Sequence, residues 1–214
     1  MVIFISLNFN NVVSILTTQS GLNISKKLII NNISVFIFIL ISLTSYMTSI
    51  TNSTISLEGK NLNILKSLPI RYKTLLITKV LAYLVITTPI LVIGNIILFI
   101  KFRFSILEFI LLLILSLLIP LVSHFLGLII NLKYPKLDAT NPSEVVKQSS
   151  SSLFAVTFGM LLIIITIAII KSIIGQYSAL FILSGTTLFY IIINILLYFY
   201  LVTIGVRNFK KITI

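Results

Sequence analysis

Residues 104–132, FSILEFILLLILSLLIPLVSHFLGLIINL, form the apolar run that decides the fold of this chain. Glu108 and His124 are the only ionisable side chains within it. A helix needs about 20 apolar residues to cross the hydrocarbon core of a membrane, so this run is long enough to span one. Because a backbone in hydrocarbon must satisfy its own hydrogen bonds, the run predicts a transmembrane helix.

Four further apolar runs lie on either side of this one, at 28–50, 75–100, 153–170 and 179–206. The chain of 214 residues is 58% hydrophobic and only 9% charged, and its mean hydropathy is +1.18. Soluble domains are about 25% charged. The sequence therefore predicts an all-α fold, namely a polytopic membrane helix bundle of about five transmembrane helices. We expect a multi-pass protein of the cell membrane.

The predicted transmembrane domain covers 28–206, with cytoplasmic loops at 51–74 and 133–152 and a cytoplasmic tail at 207–214. Residues 1–27 form a separate N-terminal segment. Its apolar part, 2–16, is short and carries Asn8, Asn10 and Asn11. It also lacks the basic start and the small-residue cleavage site of a signal peptide. We interpret 1–27 as an extracytoplasmic or interfacial segment.

The net charge of +12 arises from 16 basic against 4 acidic residues. The basic residues cluster at the ends of the apolar runs, a placement typical of membrane proteins rather than of nucleic-acid-binding proteins. One side of the predicted bundle holds eleven of them: Lys60, Lys66, Arg71, Lys73, Lys79, Lys133, Lys136, Lys147, Arg207, Lys210 and Lys211. The other side holds five: Lys26, Lys27, Lys101, Arg103 and Lys171. Because cytoplasmic loops carry the excess of Lys and Arg, we predict an outside N-terminus and an inside C-terminus. The same placement predicts contact with membrane lipids and no nucleic-acid partner.

The chain offers few groups for catalysis or metal binding. It has no Cys and one His, and its only Gly-Lys pair, Gly59 and Lys60, lacks the remaining residues of a phosphate-binding loop. We therefore predict no enzyme activity, no metal site and no cofactor. His124 lies inside the third run, where an ionisable side chain is a candidate functional residue. We favour a neutral His bonded to a nearby carbonyl or hydroxyl, such as that of Ser123.

The polar, basic stretch SLEGKNLNILKSLPIRYKTLLITK at 56–79 separates the first two runs. Apolar residues recur in it at near-helical spacing, namely Leu57, Ile64, Leu65 and Leu68. This pattern predicts a short amphipathic helix. Pro69 ends the helix, because the residue before a proline is pushed out of the helical region. A second helix is predicted to begin at Tyr72. The short helix is either an interfacial anchor with snorkelling lysines or a docking element for a partner.

A second polar stretch, NLKYPKLDATNPSEVVKQSSSS, occupies 131–152. Asn141, Pro142 and Glu144 stand at the spacing of a helix start, with Asn as the cap and Pro in the first turn. We predict that this helix continues through Val145 and Lys147 into the fourth span. Asp138 and Glu144 are interpreted as local pairing and capping residues.

The stretches SLEGKNLNILKSLPI at 56–70 and KYPKLDATNPSEVVKQ at 133–148 resemble the type-2 permease subunits of ABC exporters of low-GC Gram-positive bacteria. The likeness covers residues 56–150. It implies a membrane subunit that couples ATP hydrolysis by a separate ABC ATPase subunit to substrate export. In such permeases a coupling helix docks on the ATPase. The resemblance assigns that role here to Leu57, Glu58, Lys60, Leu62, Leu65, Lys66, Leu68 and Pro69.

The chain departs from that family in having fewer spans than is usual for a permease. It is therefore expected to be a short member, a split half or a truncated inactive fragment, and to transport only with a second permease chain or a second copy of itself. A polytopic protein outside the ABC class, such as a carrier, a channel or an accessory anchor, is the alternative. The four acidic residues stand in loops or at span ends, which makes a proton-coupled carrier the weaker choice.

Overall fold

A computed structural model describes residues 32–48, 50–137, 141, 143, 145–146 and 149–212. In this part of the chain the regular elements are helical, apart from an isolated bridge between Ile174 and Tyr177. The predicted all-α fold is confirmed. The predicted N-terminal segment 1–27 lies outside the described residues.

The helices follow the apolar runs. In chain order they are α1 (Ile33–Met47), α2 (Thr54–Glu58), α3 (Leu62–Ser67), α4 (Tyr72–Phe102), α5 (Ile106–Lys133), α6 (Ser150–Ile173), α7 (Ala179–Tyr200) and α8 (Val206–Lys211). A π-helical turn, Leu201–Gly205, joins α7 to α8. Five segments are long and apolar enough to cross a membrane: Ile33–Glu58, Tyr72–Phe102, Ile106–Lys133, Ser150–Ile173 and Ala179–Lys211. The predicted number of spans is confirmed over the described residues.

Helix α5 is the centre of the bundle and packs against α1, α4, α6 and α7. Leu112, Leu115, Ile119 and Val122 on α5 are fully buried. One apolar core runs along the bundle around these residues, and a second fills the end where the loop 51–71, Leu137 and helix α8 meet. The short helices and the polar loops therefore lie together at one end of the bundle, which is the end predicted to be cytoplasmic from the distribution of Lys and Arg.

The outward faces of the long helices stay apolar. Val85, Ile90, Leu188 and Leu196 are all strongly exposed in the isolated chain. A continuous apolar exterior of this kind is stable only against lipid or against other apolar helices. The chain is thus a multi-pass membrane protein.

The stretch 56–70 departs from its predicted form. It folds as two short helices, α2 and α3, joined by a 3-10 turn, Gly59–Asn61, rather than as one amphipathic helix. Gly59 has φ +48° and ψ −126°, a conformation open to glycine and strained for other residues. The end of α3 at Pro69 is confirmed, since Leu68 is extended at ψ 139°. The helix from Tyr72 is confirmed as well.

The start of the fourth span also differs from its prediction. Ser149 is extended at ψ 141°, so no continuous helix runs from Asn141 into α6. The Ser149 hydroxyl accepts a hydrogen bond from the backbone N–H of Ser152 at 3.2 Å and caps α6. Serine competes well for such cap positions, which explains why the helix begins anew here. Asp138, Glu144 and Lys147 lie outside the described residues.

Candidate functional site

The first span is discontinuous. Helix α1 ends at Met47, and the chain becomes helical again only at Thr51. The stretch 51–56, TNSTIS, is polar and yet buried throughout. Buried polar groups require hydrogen-bond partners, so the surrounding helices must supply them.

Asn131 of α5 supplies several of these partners. Its Oδ1 accepts hydrogen bonds from the backbone N–H groups of Ile55 at 2.7 Å and Ser56 at 3.2 Å. These amides lie in the first turn of α2 and have no partner inside that helix. Its Nδ2 donates to the hydroxyls of Ser56 at 2.7 Å and Ser151 at 3.0 Å. Asn131 therefore caps α2 from a neighbouring helix and ties it to α6.

Further hydrogen bonds complete this region. Ser151 Oγ donates to the carbonyl of Asn52 at 2.9 Å, and Thr51 Oγ1 donates to the carbonyl of His124 at 2.9 Å. The backbone N–H of Lys136 donates to Ser56 Oγ at 2.9 Å. We call residues 51–56 with Asn131 and Ser151 the polar junction. It holds the break in the first span against α5 and α6.

The two short helices are tied to the bundle by charged side chains. Lys79 of α4 forms an ion pair with Glu58 at 2.5 Å, and both are partly exposed. Lys66 donates a hydrogen bond to the carbonyl of Ile212, and its Nζ lies 5.3 Å from the centre of the Phe209 ring. Burial lowers the pKa of Lys66. These contacts connect α2 to α4 and α3 to the end of α8.

The predicted docking residues divide into three groups. Leu62 is 0% exposed and packs in the core at the junction end, so it faces the chain itself rather than a partner. Leu65, Lys66 and Glu58 are partly buried, and the Lys60 side chain lies outside the described residues. Leu57, Leu68 and Pro69 are exposed.

Two exposed residues of this segment were missing from the predicted set. Ile64 is 65% exposed, and Ile70 is exposed beside it. The sequence contained a signal for Ile64, because it stands four residues before Leu68 and residues at this spacing lie on the same side of a helix. We call the exposed residues Ile64, Leu68 and Ile70 the apolar end surface.

A cavity of about 530 Å³ lies next to the break in the first span, beside the residues that precede Thr51. Its lining comes from the last turn of α1, from α4 and from α5, including Thr44, Thr87 and His124. The His124 side chain is 1% exposed, and its Nε2 lies 3.1 Å from Thr87 Oγ1. The expected hydroxyl partner is thus present, but it belongs to Thr87. The Ser123 hydroxyl instead donates to the carbonyl of Ser45 at 3.0 Å.

Only one of the two ring nitrogens of His124 has a hydrogen-bond partner among the described residues. Among the residues that the structure describes, its Nδ1 is buried and has no hydrogen-bond partner. Within the same residues no group of three His, Cys, Asp or Glu side chains could hold a metal ion. The sequence did not reveal the cavity, because its lining residues come from three segments far apart in the chain.

Comparisons with protein-family models, with curated proteins and with solved structures found no match to this chain.

Proposed function

We propose that this chain is the membrane subunit of an exporter in the cell membrane, driven by a separate ABC-type ATPase that docks on the apolar end surface. The observation that carries the proposal is the exposure of Ile64 on α3 and of Leu68 directly after it, at 65% and 43%, outside the spans. Apolar side chains on a short helix fit a hydrophobic groove of a protein partner. The surrounding excess of Lys and Arg supports a cytoplasmic position for this surface, on the side where ATP is available.

The contacts of the short helices supply a mechanical route from that surface to the spans. Leu62 anchors α3 in the core that also contains Leu132 and Phe209. The ion pair between Glu58 and Lys79 links α2 to the start of α4. A force on α3 therefore reaches α4, α5 and α8 through packed side chains rather than through a flexible loop.

The lipid-facing surface supports an assembly of more than one permease chain. The exteriors of α4, α6 and α7 are apolar along their length. A second copy or another permease chain would pack there, and export would require both together with the ATPase. The chain alone is expected to insert into membranes without exporting.

The test is affinity isolation of the tagged chain from its native membranes. We expect an ATP-hydrolysing protein with a phosphate-binding loop to be isolated with it. The double variant Ile64→Asp/Leu68→Asp should lose this protein while inserting normally. The matched control, Asn61→Asp/Asn63→Asp, adds the same two charges at exposed polar positions of the same segment and should retain it. Equal ATPase yield from both double variants would refute docking on the apolar end surface.

A second candidate function is that of a membrane carrier without an ATPase, and the cavity at His124 favours it. Discontinuous spans beside a substrate site within the membrane are a recurring arrangement in carriers. One measurement, transport by the chain alone in vesicles without ATP, distinguishes the two functions. A carrier would move its substrate in vesicles that contain this chain alone and no ATP.

A further inference from the structure

The cavity at His124 opens sideways toward the lipid. Ile86, Ile90 and Ile93 line it and are also exposed on the outer face of α4, with Ile90 at 69%. The mouth therefore faces the hydrocarbon of the bilayer. A molecule already dissolved in the membrane could enter without crossing water.

The polar side chains that line the cavity are His124 and the hydroxyl-bearing residues Thr44, Ser45, Thr48 and Thr87. The hydroxyls of Thr44, Ser45 and Thr48 donate to carbonyls of their own helix, at 2.9 Å to Ile41, 2.7 Å to Ile41 and 2.7 Å to Thr44, respectively. A hydroxyl has one hydrogen and two lone pairs. With the hydrogen used inside the helix, each oxygen keeps lone pairs that can accept.

The same reasoning assigns the tautomer of His124. Thr87 Oγ1 lies 3.0 Å from the carbonyl of Tyr83, which can only accept, so the hydroxyl hydrogen is used there. His124 Nε2, at 3.1 Å from that hydroxyl, is then the donor. In a neutral imidazole the other nitrogen is an acceptor. Nδ1 lacks a partner among the described residues but is itself enclosed by the protein, so the acceptors of the cavity lining are the hydroxyl oxygens.

The ligand chemistry follows from this set of groups. An anion such as a carboxylate or a phosphate has only hydrogen-bond acceptors, and it cannot form hydrogen bonds with the acceptors of the cavity lining. A charged head of either sign would also be buried without a counter-charge among the residues that line the cavity, at a large desolvation penalty. A head that donates hydrogen bonds and carries no charge, such as a small polyol, satisfies the site.

The dimensions suit a single aliphatic chain. A volume of about 530 Å³ lies within the range of about 300–1,000 Å³ that is usual for sites of small ligands. The other lining residues are mostly aliphatic, and Gly94 leaves room beside them. We infer that this cavity binds an uncharged single-chain amphipath, with its hydroxyl-bearing head against His124 and Thr87 and its chain along α4 toward the lipid. The inference goes beyond the proposed function, since binding by the chain alone requires no ATPase.

The experiment uses the full chain in lipid nanodiscs and a photoreactive analogue of monolauroylglycerol with its reactive group near the end of the acyl chain. We expect labelling within residues 86–97. Unlabelled monolauroylglycerol should compete, and laurate or dodecane at the same concentration should not. Equal competition by laurate, or equal competition by dodecane, would overturn the assignment of a neutral hydroxyl-bearing head.

Two variants and a control complete the test. Thr87→Val removes the hydroxyl at constant shape and should weaken binding about fivefold to tenfold, the usual effect of one neutral hydrogen bond. Ile90→Trp fills the mouth from an exposed position and should abolish labelling. Thr157→Val, a change at an exposed threonine of α6 away from the cavity, should leave binding unchanged. If Thr87→Val does not fold, Ile90→Trp decides, and unaltered labelling of Ile90→Trp refutes the site.

Discussion

Asn131 and His124 stand seven residues apart on α5, are both buried, and are used in opposite ways. The side chain of Asn131 has both donors and its acceptor occupied by the polar junction. The side chain of His124 has one contact, to Thr87, and a nitrogen without a partner among the described residues. In a membrane interior, a polar group whose bonds are all made inside the chain serves structure. One whose bonds are not all made contributes less to the stability of the fold.

Replacement of Asn131 should give the largest effect. Asn131→Leu leaves two backbone amides of α2 without an acceptor, and each such buried group costs about 1–3 kcal/mol. We expect a loss of at least about 3 kcal/mol in the free energy of unfolding in mixed micelles. The control Asn63→Leu, at an exposed position, should change stability by less than about 0.5 kcal/mol. If Asn131→Leu were as stable as this control, the polar junction would not hold the break.

The position of α1, on which the polar junction and the cavity both depend, is set by close packing of Tyr46 on Gly159. A Cβ at Gly159 would lie 2.6 Å from Tyr46 Cδ1, whereas a Cβ at Gly185 would meet nothing within 4 Å. Gly159→Ala should therefore destabilise the bundle by about 1–3 kcal/mol. The matched change Gly185→Ala should be neutral or stabilising by up to about 1 kcal/mol, because alanine favours the helix.

A double variant tests the cause of that effect. Tyr46→Leu removes the ring that the new methyl group would strike. In the Tyr46→Leu background, Gly159→Ala should lose most of its effect on the thermal midpoint. An undiminished effect would show that the clash with Tyr46 is not the reason.

His124→Leu should change stability much less than Asn131→Leu does. The Thr87 hydroxyl keeps its bond to Tyr83, and the carbonyl of His124 still accepts from Thr51. No buried group loses its last partner, so we expect a change within about 1 kcal/mol in the same unfolding measurement. A loss equal to that of Asn131→Leu would contradict the distinction between the two residues.

The sequence predicted the elements that depend on composition and local chemistry. The spans follow from apolar length, and the break at Pro69 follows from the steric rule for the preceding residue. The inward position of Leu62 could not be predicted, because periodicity defines a face without telling what covers it. Asn131 stood at the start of a predicted loop, and its role depends on amides 75 and 76 residues earlier in the chain. The cavity could not be predicted for the same reason, because its lining residues come from three segments that are far apart in the chain.

The ion pair between Glu58 and Lys79 should give the smallest effect on stability. Both side chains are partly exposed, and such pairs contribute about 0–1 kcal/mol. Glu58→Gln and Lys79→Met, alone and combined, should yield a coupling energy below about 1 kcal/mol that decreases further at high salt. A coupling energy of several kcal/mol would place this pair with Asn131 as a structural bond. A small value fits a link that can break and re-form as α2 moves against α4, which is the property that transmission from a docked partner would require.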